Sequence, residues 1–271
     1  MRATPQVFAI LSALVQDYAG LHYSISDQEL FIDRVSTRAT EVGFESLLDY
    51  YYFLRYDPLG APELEKLVES LVVGETFFFR ELEPIRVIAS QIVPQLLDRG
   101  LRPRIWSAAC ATGEEPLTLA MLLAEQRLLS KVDLVASDIS ARSLARAKAG
   151  RFGRRSLRDV ANWGLAQRWI KEEPTGGLSV SPELIDAIDW RRLNLCDPAA
   201  TAAMGPCDVI LCRNVLIYFN DETLVRVLGN LSRALASEGA LFVGVSESLL
   251  RFGTFFSCEE RNHVFIYRKV V

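Results

Sequence analysis

Ile105-Trp106-Ser107-Ala108-Ala109-Cys110-Ala111-Thr112-Gly113-Glu114-Glu115-Pro116 reads as a short buried strand, a tight loop of small residues and the start of a helix. Pro116 suits a first helical turn, where its missing N–H costs nothing. Leu117, Leu119, Ala120, Leu122 and Leu123 then supply an apolar helix. Small side chains in a strand-to-helix loop let a ligand approach the backbone, and Gly113 permits backbone angles that other residues avoid. Such a crevice lies at the carboxyl end of a strand, where open α/β sheets bind ligands. Two glutamates narrow the ligand. A loop that holds a pyrophosphate should not press carboxylates against it, and no G-x-G-x-x-G is present. The loop fits a cationic or hydroxyl-rich ligand better, such as the sulfonium and ribose of S-adenosylmethionine.

Downstream of Pro103 strands and helices alternate, which predicts an α/β domain with a mostly parallel, Rossmann-like sheet. Candidate strands are 104–108, 132–137, 187–195, 209–212, 240–245 and 264–268, with helices over 115–129, 141–149 and 222–236. Residues 150–185 interrupt the rhythm with Gly176-Gly177 and the short strand candidate Leu178-Ser179-Val180, and read as an inserted, hairpin-like β-subdomain. Upstream, four helical patterns fill the chain to Val72: 5–19, 26–43 with Ser26 and Glu29 as a capping box, 45–56, and one starting near Pro62. The expected organisation is an all-α domain at 1–72, a junction at 73–83 lining the cofactor site, and a cofactor-binding domain at 84–271.

The chain has 271 residues, 50% hydrophobic and 24% charged, with formal net charge −4. That is ordinary globular composition, and its acidic balance argues against a nucleic-acid surface over the whole protein. Five scattered cysteines without a C-x-x-C read as buried thiols in a reducing cytoplasm. With only His22 and His263, a histidine-based triad or metal site is not expected. Val7, Ile10, Leu11, Leu14 and Tyr18 at helical spacing make the N-terminus an amphipathic helix and not a secretion leader. No segment is long and apolar enough to span a bilayer.

Five further features stand out along the chain. Asp138 ends the second strand, 25 residues after Gly113, where an acid can accept hydrogen bonds from ribose hydroxyls or cap the next helix with Ser140. Arg213-Asn214 ends the strand predicted beside the first; the arginine could equally pair with a surface carboxylate, and Tyr218 could be a packing aromatic. Gly74-Glu75-Thr76-Phe77-Phe78-Phe79-Arg80 places three phenylalanines at the domain junction, as core or pocket wall. From Arg142 to Arg158 seven basic residues occur with no acidic one, which suits a solvated face, an acidic partner, a phosphate backbone or an anionic membrane. In the second helix Arg34 and Arg38 share a face, on a segment with 5 basic and 11 acidic residues up to Val72.

Together, Thr76–Arg80, Ser107–Pro116, Ala136-Ser137-Asp138-Ile139 and Cys212–Phe219 resemble the CheR-type chemoreceptor glutamate methyltransferases over nearly the whole chain. The resemblance implies a helical domain, a class I S-adenosylmethionine-binding domain and an inserted β-subdomain. It also implies cofactor contacts at Thr76, Arg80, Glu114, Asp138, Asn194, Leu195, Arg213 and Asn214, with Ala108 and Gly113 in the loop. Glu114 is expected at the positive methionyl end, Asp138 at the ribose and Asn194-Leu195 at the adenine. Arg80 and Tyr218 are the candidates beside the reacting carboxylate, and Arg34 and Arg38 those facing the receptor's methylation helices. One departure is Gly74, where the family often has Asn. No metal is implied. A cytoplasmic monomer is expected, reaching membranes only through receptors and binding no nucleic acid.

The chemistry accounts for the missing general base. A glutamate has a pKa near ~4.3 and is already ionised at neutral pH. Two other readings remain open: a class I methyltransferase acting on RNA or a small molecule, for which the basic run is the support, and a non-catalytic module sensing S-adenosylmethionine or its demethylated product.

Overall fold

The structure is a computed structural model that describes the chain except residues 2, 159–162, 175, 253–255 and 271. It divides into two units, residues 1–73 with 218–224, and residues 74–217 with 225–271.

The first unit is built on α1 (Pro5–Ala19), α2 (Gln28–Val42), α3 (Leu47–Tyr56) and α4 (Gly60–Leu71). Local chemistry sets their ends. The Thr4 hydroxyl accepts from the Val7 N–H at 3.3 Å, and Gly20 closes α1 in the left-handed region. The capping box is Ser24 with Asp27, not Ser26 with Glu29, because a 3₁₀ turn over Ile25–Asp27 precedes α2. Gly60 lets α4 start against α3: a Cβ there would lie 2.4 Å from the Phe53 carbonyl. Leu11, Val15, Phe31, Val35, Tyr50 and Leu67 are fully buried between these helices. Residues 218–224, placed by the sequence reading in the second domain, pair with this unit: Leu21 bridges Phe219, and the His22 N–H donates to the Tyr218 carbonyl at 2.8 Å.

In the second unit, β1 (Arg104–Ala108), β2 (Asp133–Asp138), β6 (Ile188–Arg192), β7 (Cys207–Cys212), β8 (Leu235–Phe242), β9 (Phe256–Arg261) and β10 (Val264–Lys269) form one sheet in the order β6-β2-β1-β7-β8-β10-β9. The first five in that order are parallel neighbours, and β10 is antiparallel to both β8 and β9. After β1 the chain adds β2 and β6 on one side and returns to place β7 on the other. Strand order therefore reverses between β1 and β7, which opens the ligand crevice above their carboxyl ends. Buried strands such as β7, Cys-Asp-Val-Ile-Leu-Cys, were readable as apolar runs. The edge strand β9, Phe-Ser-Cys-Glu-Glu-Arg, was not, since it is polar and partly exposed.

α7 (Glu114–Glu125), α8 (Ala141–Ala149) and α12 (Asp221–Ala234) follow β1, β2 and β7, α7 ending four residues before the predicted stop. A helix the sequence reading passed over covers α5 (Leu82–Val87), a wide π-type stretch Ile88–Ile92, and α6 (Val93–Asp98). Pro94, which lacks an N–H, sits just after the widened turn. The inserted segment holds α9 (Trp163–Trp169), α10 (Pro182–Asp186) and a small antiparallel sheet. That sheet has three strands, β3 (Arg151–Phe152), β4 (Ile170–Glu172) and β5 (Leu178–Val180), in the order β3-β5-β4. It buries Phe152, Ile170, Leu178 and Val180. α11 (Pro198–Ala202) precedes β7.

Candidate cofactor site

The loop after β1 is held in an unusual backbone form. Ala109 (φ 55°), Ala111 (φ 49°) and Gly113 (φ 94°) are all left-handed. For alanine this costs about 1 kcal/mol per residue, so the surroundings must impose it. The Cys110 N–H donates to the Ser137 carbonyl at 2.9 Å and the Ala111 N–H to Asp138 Oδ2 at 2.8 Å. Gly113 is required by close packing: a Cβ would lie 2.8 Å from both the Ala147 Cβ and the Trp190 ring. Trp106, fully buried in β1, donates through Nε1 to the Ser137 hydroxyl at 2.9 Å. Ala108 closes the strand, also buried.

Asp138 serves the backbone on both sides of it. Its Oδ1 accepts from the Ser140 N–H at 2.9 Å while Ser140 itself caps α8, and its Oδ2 pins the loop through Ala111. Glu114 is 2% exposed, and its Oε2 accepts from the Thr112 hydroxyl at 2.6 Å. Burial pushes its carboxyl up from the ordinary carboxylate range, against hydrogen bonds from the hydroxyls of Thr112 and Ser156. Among the described residues no cation is paired with it. A buried carboxylate surrounded by hydroxyls and small residues fits the α-ammonium of S-adenosylmethionine, because a cationic ligand supplies the missing countercharge.

Arg213, at the end of β7, is a structural junction. Its side chain is 1% exposed, with Nη1 on Glu115 at 2.9 Å and Nη2 on Glu81 at 3.0 Å. Nη2 also reaches the carbonyls of Arg80 and Glu81, and Nε alone has no protein partner. Neither glutamate is an idle surface charge. Burial by itself would raise Glu81, but the Arg213 guanidinium and hydrogen bonds from Asn214 and the Val245 N–H hold its carboxyl below the usual range. Asn214 is left-handed (φ 58°) and gives its side-chain amide to Glu81 at 3.2 Å.

Thr76 and Arg80 lie on a strained segment in which Phe79 (φ 65°) and Glu81 (φ 44°) are left-handed. The Phe78 N–H donates to the Ser156 carbonyl at 2.7 Å, and the Phe79 N–H to the Thr118 hydroxyl at 3.2 Å. Phe78 and Phe79 are core; Phe77 is half-buried under the guanidinium of Arg158. Arg80 is half-buried, with Nη1 on the Glu75 carbonyl at 3.2 Å. Asn194 and Leu195 follow β6. Asn194 Oδ1 accepts from the Cys196 N–H at 2.9 Å, and the Leu195 carbonyl accepts from the buried Asn230 side chain at 2.9 Å. Tyr218 groups with the helical unit.

Glu247, buried at 6% exposure, escaped the sequence reading. Its carboxylate accepts from the N–H groups of Asn214, Gly244 and Leu216, each at 2.7 Å, and so shapes the loop after β7. The available signal was an acid three residues past Gly244 at a strand end. Arg34 and Arg38, half-buried on α2, both make contacts within the helical unit. Arg34 Nη1 donates to the Leu71 carbonyl at 3.0 Å, at the end of α4. Arg38 grips Glu63 through two bonds of 2.7 Å, and Tyr50 donates to the same carboxylate at 2.9 Å.

Residues 74–265 match the CheR methyltransferase SAM-binding domain, and residues 6–72 the CheR methyltransferase all-alpha domain. The chain belongs to the CheR methyltransferase family. CheR relatives extend over nearly its whole length. Chemotaxis protein methyltransferase 1 of Pseudomonas aeruginosa is 29% identical, covering 99% of each chain. Chemotaxis protein methyltransferase 2 of Vibrio cholerae is 30% identical over 90% of this chain and 84% of its own. The probable biofilm formation methyltransferase WspC of P. aeruginosa is 37% identical over 73% of this chain and 47% of its own. In this CheR chain, as throughout the described residues, no helix is long and apolar enough to cross a membrane.

Proposed function

We propose that this protein transfers the methyl group of S-adenosylmethionine to glutamate side chains of methyl-accepting chemoreceptors, forming methyl esters. The observation that carries the reading furthest is Glu114: a buried carboxylate without a cation partner among the described residues, at the mouth of a class I strand order, in a chain of the CheR family. The names of the full-length relatives support a chemotaxis-type substrate for this chain.

Bound S-adenosylmethionine supplies an electrophilic methyl carried on a sulfonium. Glu114 holds the methionyl ammonium, and Asp138 accepts from ribose hydroxyls while still pinning Ala111. Asn194 and Leu195 border the adenine. Arg80 orients the incoming carboxylate. Thr76, Arg213 and Asn214 contribute to the cofactor pocket, Arg213 through its unpartnered Nε. No side chain needs to remove a proton, since the substrate glutamate is ionised already. The protein's contribution is alignment and exclusion of water.

The test incubates the protein with methyl-labelled S-adenosylmethionine and receptor-bearing membranes. Methyl esters release methanol in mild alkali; label that stays bound would exclude carboxyl transfer.

A further inference from the structure

The run Arg142–Arg158 forms a surface on which five basic side chains have no ion-pair partner among the described residues. All seven of its basic side chains are exposed. Arg146, Lys148, Arg151, Arg154 and Arg155 make no ion pair among the described residues. On α8, Arg142 and Arg146 stand one turn apart on the face opposite the buried Leu144 and Ala147. The small sheet extends the pattern in a way the sequence does not show. Arg151 of β3 and Lys171 of β4 both pair with Ser179 of β5, so the three lie in one row on the outer face, while Phe152, Ile170, Leu178 and Val180 are buried. Glu172 and Glu173 follow Lys171 directly in the chain.

This surface is continuous with the candidate site. Arg158 pairs with Glu75 at 2.9 Å and covers Phe77 at 4.7 Å from the ring centre. The Ser156 carbonyl accepts from Phe78, and its hydroxyl reaches Glu114. The backbone that carries Arg154 and Arg155 is therefore fastened to the segment bearing Thr76 and Arg80. A protein that methylates carboxylates must bring an acidic segment to that rim, and of the two arginines expected to receive it Arg38 already carries the Glu63 carboxylate.

We propose that the basic surface running from α8 to Arg158, continued by Lys171, docks the acidic, glutamate-bearing helices of the methylated protein. The proposal rests on the function above and names how that substrate is held. An acidic helix is favoured over single-stranded nucleic acid because stacking aromatics are absent from the run apart from the buried Phe152. It is favoured over a lipid surface because the patch begins at the rim of the site and not on a separate face.

The experiment measures methyl transfer to a lipid-free receptor cytoplasmic fragment. It compares wild type with Arg146→Gln/Arg151→Gln/Arg154→Gln/Arg155→Gln and with the same four positions changed to Lys. The glutamine variant is expected to raise KM for the fragment about 5- to 10-fold at low salt, with cofactor affinity and kcat unchanged. The wild-type KM should rise with ionic strength, and the lysine variant should behave as wild type. A glutamine variant with KM within twofold of wild type would overturn the proposal, as would a lysine variant as impaired as the glutamine one. So would loss of binding to phosphatidylglycerol vesicles or to a short single-stranded RNA with unchanged KM for the fragment. If wild type transfers no alkali-labile methyl at all, the proposed function fails and the docking proposal with it, a result distinct from an unchanged KM.

Discussion

Glu115 in the first turn of α7 and Arg213 at the end of β7 meet at 2.9 Å, with the guanidinium 1% exposed. Glu115 also accepts from the Ser107 hydroxyl of β1 at 2.7 Å, so one carboxylate ties the two strands flanking the crevice to the helix between them. Removing Glu115 leaves the buried Arg213 with Glu81 as its remaining carboxylate and the Ser107 hydroxyl without its acceptor. We predict that Glu115→Ala lowers stability by about 3 kcal/mol, read from the denaturant midpoint. Arg213→Lys should recover little of the native arrangement, because an ammonium cannot bridge Glu115, Glu81 and two carbonyls from one planar fork. A midpoint unchanged in both variants would refute the structural role.

Glu114 should separate stability from binding. Its folded pKa is raised by burial, so between the unfolded and folded values the native state holds the extra proton and stability falls as pH rises. At neutral pH Glu114→Gln is therefore expected to leave stability equal or higher. Cofactor affinity should fall about 10- to 100-fold through loss of the ammonium contact. Wild-type affinity should weaken on acidification through the raised Glu114 range, and the Gln variant should not. Calorimetric titration of S-adenosylmethionine across pH measures both; a flat wild-type profile would count against the ammonium contact.

Arg80→Ala and Asp138→Ala are both expected to lose most activity, by different routes. Asp138→Ala releases Ala111 and Ser140 and should act mainly through cofactor affinity. Arg80→Ala leaves the loop after β1 intact and should act mainly on kcat. Equilibrium binding beside turnover distinguishes them.

In the helical unit, Glu63 is held by Arg38 and Tyr50. Burial alone would raise its pKa, but these hydrogen bonds bring the carboxyl below its ordinary range. The group is depressed on folding, so its contribution is complete above the unfolded carboxylate range and is lost as pH falls through the lowered value. Glu63→Gln should destabilise by about 2 kcal/mol at neutral pH and remove that part of the acid sensitivity. Denaturation followed at several pH values tests this.

Gly113→Ala should be severe, since a side chain would face a φ of 94° and contacts of 2.8 Å to Ala147 and Trp190. A folded variant with native cofactor affinity would show that the loop can relax.

The elements that could be read in advance are those whose signal is local. The apolar run of β7, the small-residue loop before Pro116, and the periodicity of α1 each encode their structure within a few residues. The wide turn before Pro94, the polar edge strand β9 and the shift of the capping box to Ser24 carry weak or competing local signals. Glu247 was invisible because its four backbone donors come from positions 214, 216, 217 and 244, brought together only by the strand order.

From sequence alone came the family, the class of cofactor and the absence of any need for a base, because motif spacing and the ionisation of a carboxylate are properties of the chain and of the reaction. Tertiary structure settled how charges are allocated. Arg38 belongs to Glu63, Arg213 belongs to Glu81 and Glu115, Glu114 has no cation partner among the described residues, and Arg151 aligns with Lys171 across Ser179. A sequence lists charges but not their distances or their burial. In a low-dielectric interior, distance and burial determine which charges cancel and which remain for a ligand.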